Sequence, residues 1–289
     1  MNVKVLAPAK INLGLEILGK RADGYHEIDT IMQSIDLCDE IDVKISNDKS
    51  TEVLCNKNIG CISENNIVYK AAKIFFEYIG IKNPGVKIKI KKNIPVSAGL
   101  AGGSSDGAAT LIALDYIFKT NLNKFEILNL GAKLGTDVPF CILGGTARAK
   151  GTGIMLETIS SLKNCFIVIV KPPISVSTKK AYDLSDSVKN KNINKFDLLL
   201  SGIKNNDLKL LSNNLFNRFE EVISEKIVFS IKKDLCNMGA LGALMSGSGP
   251  TVFGIFEDEH EALKCMNKIK NFYPQNFLCK PLSVGAYIL

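Results

Sequence analysis

The sequence predicts an α+β fold in two domains, and three observations carry that prediction. Strand-like and helix-like segments come in mixed runs without strict βαβ alternation, which argues against a doubly wound sheet. The character of the chain changes after Gly153, which places a boundary near residue 155 and gives domains 1–155 and 156–289. The length, 289 residues, suits one large domain or two intimate ones.

The elements follow in order. Residues 3–7 and 11–18 are apolar and β-compatible, and 28–35, 41–45 and 52–55 continue a strand-rich opening. Residues 65–78 turn to helical spacing, with Ile67, Ala71, Ile74 and Phe75 on one face. Residues 86–92 read as a strand in which Lys87, Lys89 and Lys91 alternate with Val86, Ile88 and Ile90, a solvated face against a buried one. Pro95 ends that strand, a loop runs to Gly103, and 104–118 reads as a helix rich in Ala and Leu. Beyond the boundary, 165–170 is a short buried strand and 205–239 is largely helical. Residues 241–256 are a strand pair broken by Gly247-Ser248-Gly249-Pro250, 259–272 is helical, and the tail is β-like.

Composition narrows the class. Hydrophobic residues at 46% and charged residues at 22% are those of a soluble globular protein. Residues 1–10 carry Lys4 and Lys10 and do not read as a signal peptide, and apolar runs such as 166–170 are too short to span a bilayer. The expectation is a cytoplasmic protein with no membrane partner. The eight cysteines, Cys38, Cys55, Cys61, Cys141, Cys165, Cys236, Cys265 and Cys279, form no Cys-x-x-Cys pair and read as reduced, mostly buried side chains. With only His26 and His260 beside them, no structural zinc site is expected. The net charge of +7 suits a protein that handles polyanionic small molecules. No aromatic residues interleave with the lysines of 86–92, so that stretch offers no base-stacking platform and no nucleic-acid partner is expected.

The chemistry centres on Pro95, Val96, Ser97, Ala98, Gly99, Leu100, Ala101, Gly102, Gly103, Ser104 and Ser105, between a strand and a helix. Three glycines permit tight turns and close approach to a ligand. Ser104 and Ser105 can cap the helix, whose first-turn N–H groups and dipole attract an anion. The loop has no Gly-Lys-Ser/Thr, so it is not the common P-loop, and no Gly-x-Gly-x-x-Gly, so it is not a dinucleotide fingerprint. Taken alone it binds phosphate. Met245-Ser246-Gly247-Ser248-Gly249-Pro250-Thr251 is a second small-residue turn whose backbone could approach a ligand closely.

Pro8-Ala9-Lys10-Ile11-Asn12-Leu13, residues 95–105 and residues 246–251 together resemble, in order and spacing, the three motifs of the GHMP kinases. The resemblance covers essentially the whole chain. It implies an N-terminal domain with the ribosomal protein S5 domain 2-like fold and a C-terminal ferredoxin-like α/β sandwich. Within that superfamily, Lys10 to Leu15, Arg21-Ala22-Asp23-Gly24-Tyr25-His26 and Leu134-Gly135-Thr136-Asp137-Val138-Pro139-Phe140 resemble the kinases that phosphorylate the 2-hydroxyl of a cytidine-diphosphate-linked methylerythritol, on the non-mevalonate route to isoprenoid precursors. A mevalonate- or homoserine-type kinase is the alternative, and a basic nucleic-acid-binding protein a far weaker one. The family's central loop usually carries more glycine; here Ser97, Ala98 and Ala101 hold glycine-like positions and are small enough to preserve phosphate binding.

The resemblance implies roles for individual residues. Asp137 is the catalytic carboxylate, able to accept the acceptor hydroxyl's proton, and Lys10 is its partner, able to stabilise charge on the transferring group. Tyr25 and His26 read the cytosine, with Tyr182 closing its other face. Asn12 is a polar contact to the substrate. Asn66 and Lys92 serve the adenine and ribose end of ATP, although Asn66 could equally be a helix N-cap and Lys92 a surface lysine. ATP and Mg2+ are the implied cofactors. No carboxylate cluster marks an all-protein metal cage. The expected assembly is a monomer or weak dimer.

Overall fold

A computed structural model describes residues 1–57, 64–186 and 193–289 of the chain. Strand β1 (Asn2–Lys20) pairs antiparallel with β2 (His26–Ile45) along almost its whole length. The separate stretches expected at 3–7 and 11–18 are thus one continuous strand, as are those at 28–35 and 41–45. Register shifts between Pro8 and Ala9, Asn12 and Gly14, and Ile17 and Gly19 bend β1 without ending it. The bend lets one strand serve two cores. Val3, Val5 and Ala7 pack in a cluster with helices of the first half, whereas Ala9, Ile11 and Leu13 pack in another with strands of the second half.

Strand β3 (Thr51–Cys55) is followed by helix α1 (Ile67–Tyr78), whose Val68, Ala71, Ala72, Phe75 and Phe76 are buried at the i, i+3, i+4 spacing of one face. Strand β4 (Val86–Lys91) alternates as expected: Val86, Ile88 and Ile90 are buried, and Lys87 and Lys91 pair with Glu52 and Glu40 on adjacent strands. Helix α2 (Gly102–Phe118) is buried on nearly all sides, between α1, the sheet, α3 (Lys124–Leu134) and α4 (Val138–Leu143). Strands β5 (Thr146–Gly151) and β6 (Met155–Thr158) complete this half.

The second half begins with β7 (Phe166–Val170), α5 (Thr178–Ser185), α6 (Ile193–Lys204) and α7 (Leu208–Asn213). Residues 205–239, expected to be largely helical, contain α7, a two-residue strand β8 (Phe216–Asn217), a 3-10 turn (Arg218–Glu221) and α8 (Lys226–Asn237). Asn217 interrupts the helical run because its side chain caps that 3-10 turn, accepting from the Phe219 N–H at 3.0 Å. Strands β9 (Gly242–Met245) and β10 (Val252–Phe256), helix α9 (Glu259–Ile269), and strands β11 (Asn276–Cys279) and β12 (Tyr287–Ile288) follow.

Among the described residues, β7, β9, β10 and β11 form a four-stranded antiparallel sheet in the order β11-β7-β10-β9. Numbered from its own first strand, that order is 4-1-3-2 with helices in the two crossovers, the ferredoxin-like arrangement. Alternation along its strands makes two cores. Ile167, Ile169, Phe253 and Ile255 join Ile11 and Leu13 between the sheets, while Val168, Val170, Val252 and Phe256 pack with Val228, Ile231 and Leu235 of α8 and Ala262 and Cys265 of α9. The larger sheet runs β12-β1-β2-β4-β3, with β5 and β6 branching from β2 and β8 from β1. Two short strands of the second half, β8 and β12, therefore return to the first.

Of the cysteines, Cys61 lies outside the described residues and the other seven are free thiols. Burial pushes Cys165 up to about 12 and Cys265 up to about 11, so both stay protonated and behave as small apolar groups.

Candidate active site

Between the two halves lies a cavity of about 690 Å³, within the usual range for small-molecule sites. Its walls come from β1 and β2, the loop and first residues of α2, the start of α4, α5, and the turn between β9 and β10. The three motif segments singled out by sequence converge on it.

At its base stand Lys10, Asn12 and Asp137. Lys10 and Asn12 alternate with Ala9, Ile11 and Leu13 on β1, so burying the odd residues between the sheets leaves the even ones to the cavity. The Lys10 ammonium donates to Asn12 Oδ1 at 2.7 Å and lies 3.8 Å from Asp137 Oδ2. Asn12 Nδ2 donates to Thr30 Oγ1 at 2.9 Å, and that hydroxyl donates to the Gly14 carbonyl at 2.7 Å. The lysine is thereby fixed through a buried chain of hydrogen bonds. Asp137 precedes α4 at the N-cap position, yet its backbone is αR (φ −84°, ψ −16°) and its side chain makes no capping bond. Its side chain is 38% exposed, whereas that of Lys10 is 6% exposed. A half-exposed carboxylate therefore faces the cavity beside a buried lysine.

The segment from Pro95 to Gly103 lines the cavity. Ser97 (φ +52°), Gly99 (φ +75°) and Ala101 (φ +56°) are all left-handed. Two of the three positions read as glycine-like thus carry a glycine conformation despite a Cβ, whereas Ala98 does not. Helix α2 starts at Gly102, two residues earlier than expected, and its N-cap, Ala101, makes no side-chain bond. Ser104 and Ser105 do not cap the helix and lie outside the cavity lining; the Ser105 hydroxyl donates instead to the Pro8 carbonyl at 2.7 Å, tying α2 to β1. The first-turn amides remain the anion-attracting element.

Lys92 is not a surface lysine. It is 4% exposed, and its ammonium is paired with Asp39 and, at 2.8 Å, with Asp106. Asp39 also accepts from the N–H groups of Asn93 at 2.6 Å and Ile94 at 2.9 Å. Desolvation lowers the Lys92 pKa, but the charges and hydrogen bonds of Asp106 and Asp39 together outweigh it and leave it raised. Burial pushes Asp106 well above the usual carboxylate range; Lys92 opposes that push and Asp39 adds to it. Asp106 lines the cavity, and its Oδ1 has no hydrogen-bond partner. Asn66 also lines the cavity and is the N-cap of α1, its Oδ1 accepting from the Val68 N–H at 2.9 Å.

Tyr25, His26 and Tyr182 stand at the other end. Tyr25 sits in the turn between β1 and β2, is 59% exposed, and does not line the cavity. His26 is buried and stacks on Tyr182, with ring centroids 4.8 Å apart and planes at 25°. Its Nε2 lies 2.8 Å from Asp186 Oδ1, so the imidazole latches β2 to α5. Tyr182 does line the cavity, meets Phe219 edge-on at 4.9 Å, and has its hydroxyl pKa pushed up to about 12 by burial and by Asp137. The ring facing Tyr182 is therefore His26, not Tyr25.

Thr30, Asp39, Asp106, Asp186 and Phe219 were not singled out by sequence. Asp106 carried a usable signal, an acid in an Ala/Leu-rich helix just after the Gly/Ser loop. The others are recognisable only once distant strands are paired.

The chain matches the family models described as "GHMP kinases N terminal domain" over residues 66–145 and "GHMP kinases C terminal" over 199–275. It is 46% identical over 288 residues to a 4-diphosphocytidyl-2-C-methyl-D-erythritol kinase of Clostridium botulinum, covering 98% of this chain and 100% of the relative. A crystal structure of a 4-(cytidine 5'-diphospho)-2C-methyl-D-erythritol kinase superposes with a TM-score of 0.80 at 28% identity, covering 97% of this chain and 99% of the other. The crystal structure of a homoserine kinase from Cytophaga hutchinsonii shares the fold, with a TM-score of 0.81 at 19% identity, covering 100% of this chain and 97% of the other. The chain belongs to the 4-diphosphocytidyl-2-C-methyl-D-erythritol kinase family of the GHMP kinases.

Proposed function

We propose that this enzyme transfers the γ-phosphoryl group of ATP to the 2-hydroxyl of 4-diphosphocytidyl-2-C-methyl-D-erythritol. The observation that carries the reading is the Lys10–Asp137 pair, 3.8 Å apart, in a cavity one wall of which is the Gly/Ser loop and the N-terminus of α2.

In this reading, the acceptor hydroxyl lies beside Asp137, which takes its proton as the oxygen attacks phosphorus. A new O–P bond forms, the bond from the γ-phosphorus to the bridging oxygen breaks, and ADP leaves with that oxygen. Lys10 stabilises the charge spread over the transferring phosphoryl oxygens, and Asn12 holds the ammonium in place. The α2 amides and the turns at Ser97, Gly99 and Ala101 hold the phosphate chain. Asn66 and Lys92 stand at the nucleotide end. Tyr182 forms the aromatic wall on the cytidine side, with His26 stacked on it outside the cavity lining and Tyr25 in the adjoining turn.

Magnesium suits this donor set. Among the described residues no group of three or more His, Cys, Asp or Glu could hold a metal ion alone, and Mg2+ is commonly held by one or two carboxylates plus substrate phosphates. Asp106, with its unpartnered Oδ1, and Asp137 are the carboxylates that line the cavity. When bound, the ion would neutralise charge on the β- and γ-phosphates. We assign residues 1–155 to ATP binding and 156–289 to the substrate side, with the turn at Gly247 reaching back to the phosphates. No helix among the described residues is long and apolar enough to cross a membrane, and the proposed location is the cytoplasm.

The test is phosphorus NMR of the purified protein with ATP, magnesium and the cytidyl acceptor. A new phosphomonoester on the 2-hydroxyl supports the reading; its absence under conditions where the protein is folded rejects it.

A further inference from the structure

Asn217 lies outside the cavity and is 5% exposed, yet it touches both of the cavity's functional ends. It sits on β8, which pairs in parallel with β1 through Gly14 with Phe216 and Leu15 with Asn217. Asn217 is therefore anchored to the strand that carries Lys10 and Asn12. Its Nδ2 donates to two carbonyls, Met245 O and Gly247 O, both at 2.8 Å, and its Oδ1 accepts from the Phe219 N–H at 3.0 Å. A neutral amide is well suited here, since it presents two donors to two converging carbonyls and keeps an acceptor for the third partner.

The held backbone is at the reacting centre. Gly247 has φ +56°, and a Cβ placed on it would lie 3.1 Å from the Gly99 carbonyl oxygen and 3.5 Å from Asn12 Oδ1. It thus fills the space between the phosphate loop and the residue that fixes the Lys10 ammonium. Glu220 Oε1 holds the same segment from its other side, accepting from the Met245 N–H at 2.8 Å. Phe219, the third partner of Asn217, lines the cavity and packs on Tyr182. A glycine turn has little conformational preference of its own, so a buried side chain that fixes it sets where the backbone stands.

We propose that Asn217 is a positioning residue for phosphoryl transfer, holding Gly247 against Asn12 and Phe219 against Tyr182; the proposal rests on the kinase reading above. Two variants separate its two contacts. Asn217→Asp keeps the acceptor for Phe219 but replaces the donor with an oxygen set against both carbonyls. Asn217→Ala removes all three bonds.

The experiment measures steady-state kinetics, thermal melting and amide hydrogen exchange for the parent and both variants. In Asn217→Asp, kcat should fall about tenfold or more with acceptor KM within about twofold of the parent, because only the turn is released. In Asn217→Ala the acceptor KM should rise as well. Exchange at the Gly249 amide, which donates to the Ser246 carbonyl at 2.9 Å, should speed up in both. Val228→Ala, on the buried face of α8, supplies a control that lowers the melting temperature without touching the turn, and should leave kcat within about twofold. Parent-like kcat and exchange in Asn217→Asp would overturn the proposal, as would a kcat loss in Val228→Ala that matches its loss of melting temperature as closely as in the Asn217 variants. A parent that phosphorylates no acceptor would reject the kinase reading instead, and the exchange comparison would still decide whether Asn217 holds the turn.

Discussion

The buried Lys10 ammonium stands 3.8 Å from the half-exposed Asp137 carboxylate, and the two come from β1 and the start of α4, 127 positions apart in sequence numbering (137 minus 10). Asp137 makes no capping bond, so α4 does not need its side chain. Asp137→Ala is expected to lower kcat by about 10²- to 10⁴-fold while the melting temperature stays near the parent value. Lys10→Ala should lose activity and stability together, because it leaves Asn12 Oδ1 buried without its donor, at a cost of about 1–3 kcal/mol. Circular-dichroism melts beside steady-state rates check both. An Asp137→Ala enzyme within tenfold of the parent would remove that carboxylate from the chemistry.

Gly99 and Gly103 are predicted to behave oppositely in the ligand-free protein. A Cβ at Gly99 would lie 2.2 Å from the Ser246 carbonyl oxygen, on a backbone with φ +75°. Gly99→Ala should therefore destabilise by at least about 1–3 kcal/mol, the ordinary cost of such a conformation for a residue with a side chain, before the collision is added. A Cβ at Gly103 meets nothing within 4 Å. Gly103→Ala should be neutral or stabilising by about 0.4–1 kcal/mol, yet it puts a methyl group in the nucleotide cavity and should raise the KM for ATP. Denaturant midpoints and ATP titrations read the two effects separately.

Asp106 links stability to pH. Its pKa in the folded protein is raised well above the ordinary carboxylate value, mainly by burial. The folded state then holds a proton that the unfolded chain has released, so this group's contribution is fully present below the unfolded pKa and is lost as pH rises through the folded one. Asp106→Asn keeps an acceptor for Lys92 and removes that loss. The variant should gain stability relative to the parent as pH rises above the ordinary carboxylate pKa, by up to roughly 1.4 kcal/mol per pH unit until the raised folded-state pKa is passed. Unfolding free energies at several pH values check the sign. A difference that stays constant, or that moves toward the parent at higher pH, contradicts the assignment.

Local pattern carried much of the fold. The Lys/Ile alternation of β4 and the apolar face of α1 were legible because one short period decides burial. The α3 helix was not, since only Leu130 and Gly131 are buried along it. The α4 helix, six residues of Val-Pro-Phe-Cys-Ile-Leu, carries no periodicity long enough to separate helix from strand. At the site, motif residues announced Lys10, Asp137 and the loop. The pairing of Lys92 with Asp39 joins residues 53 positions apart, and His26 meets Asp186 across 160, so both depend on tertiary packing. That packing also explains why Tyr25 and His26, adjacent in sequence, part company: His26 is the first residue of β2 and is buried against α5, whereas Tyr25 ends the exposed turn before it.

The acceptor this site phosphorylates carries cytidine diphosphate in the reading proposed above. ADP release measured side by side with 4-diphosphocytidyl-2-C-methyl-D-erythritol, mevalonate and homoserine tests it most directly. Turnover is expected with the first acceptor, with loss of that turnover when the cytidine is removed, and none above the ATP-only background with the other two. Turnover of mevalonate or homoserine with the cytidyl acceptor inert would contradict it.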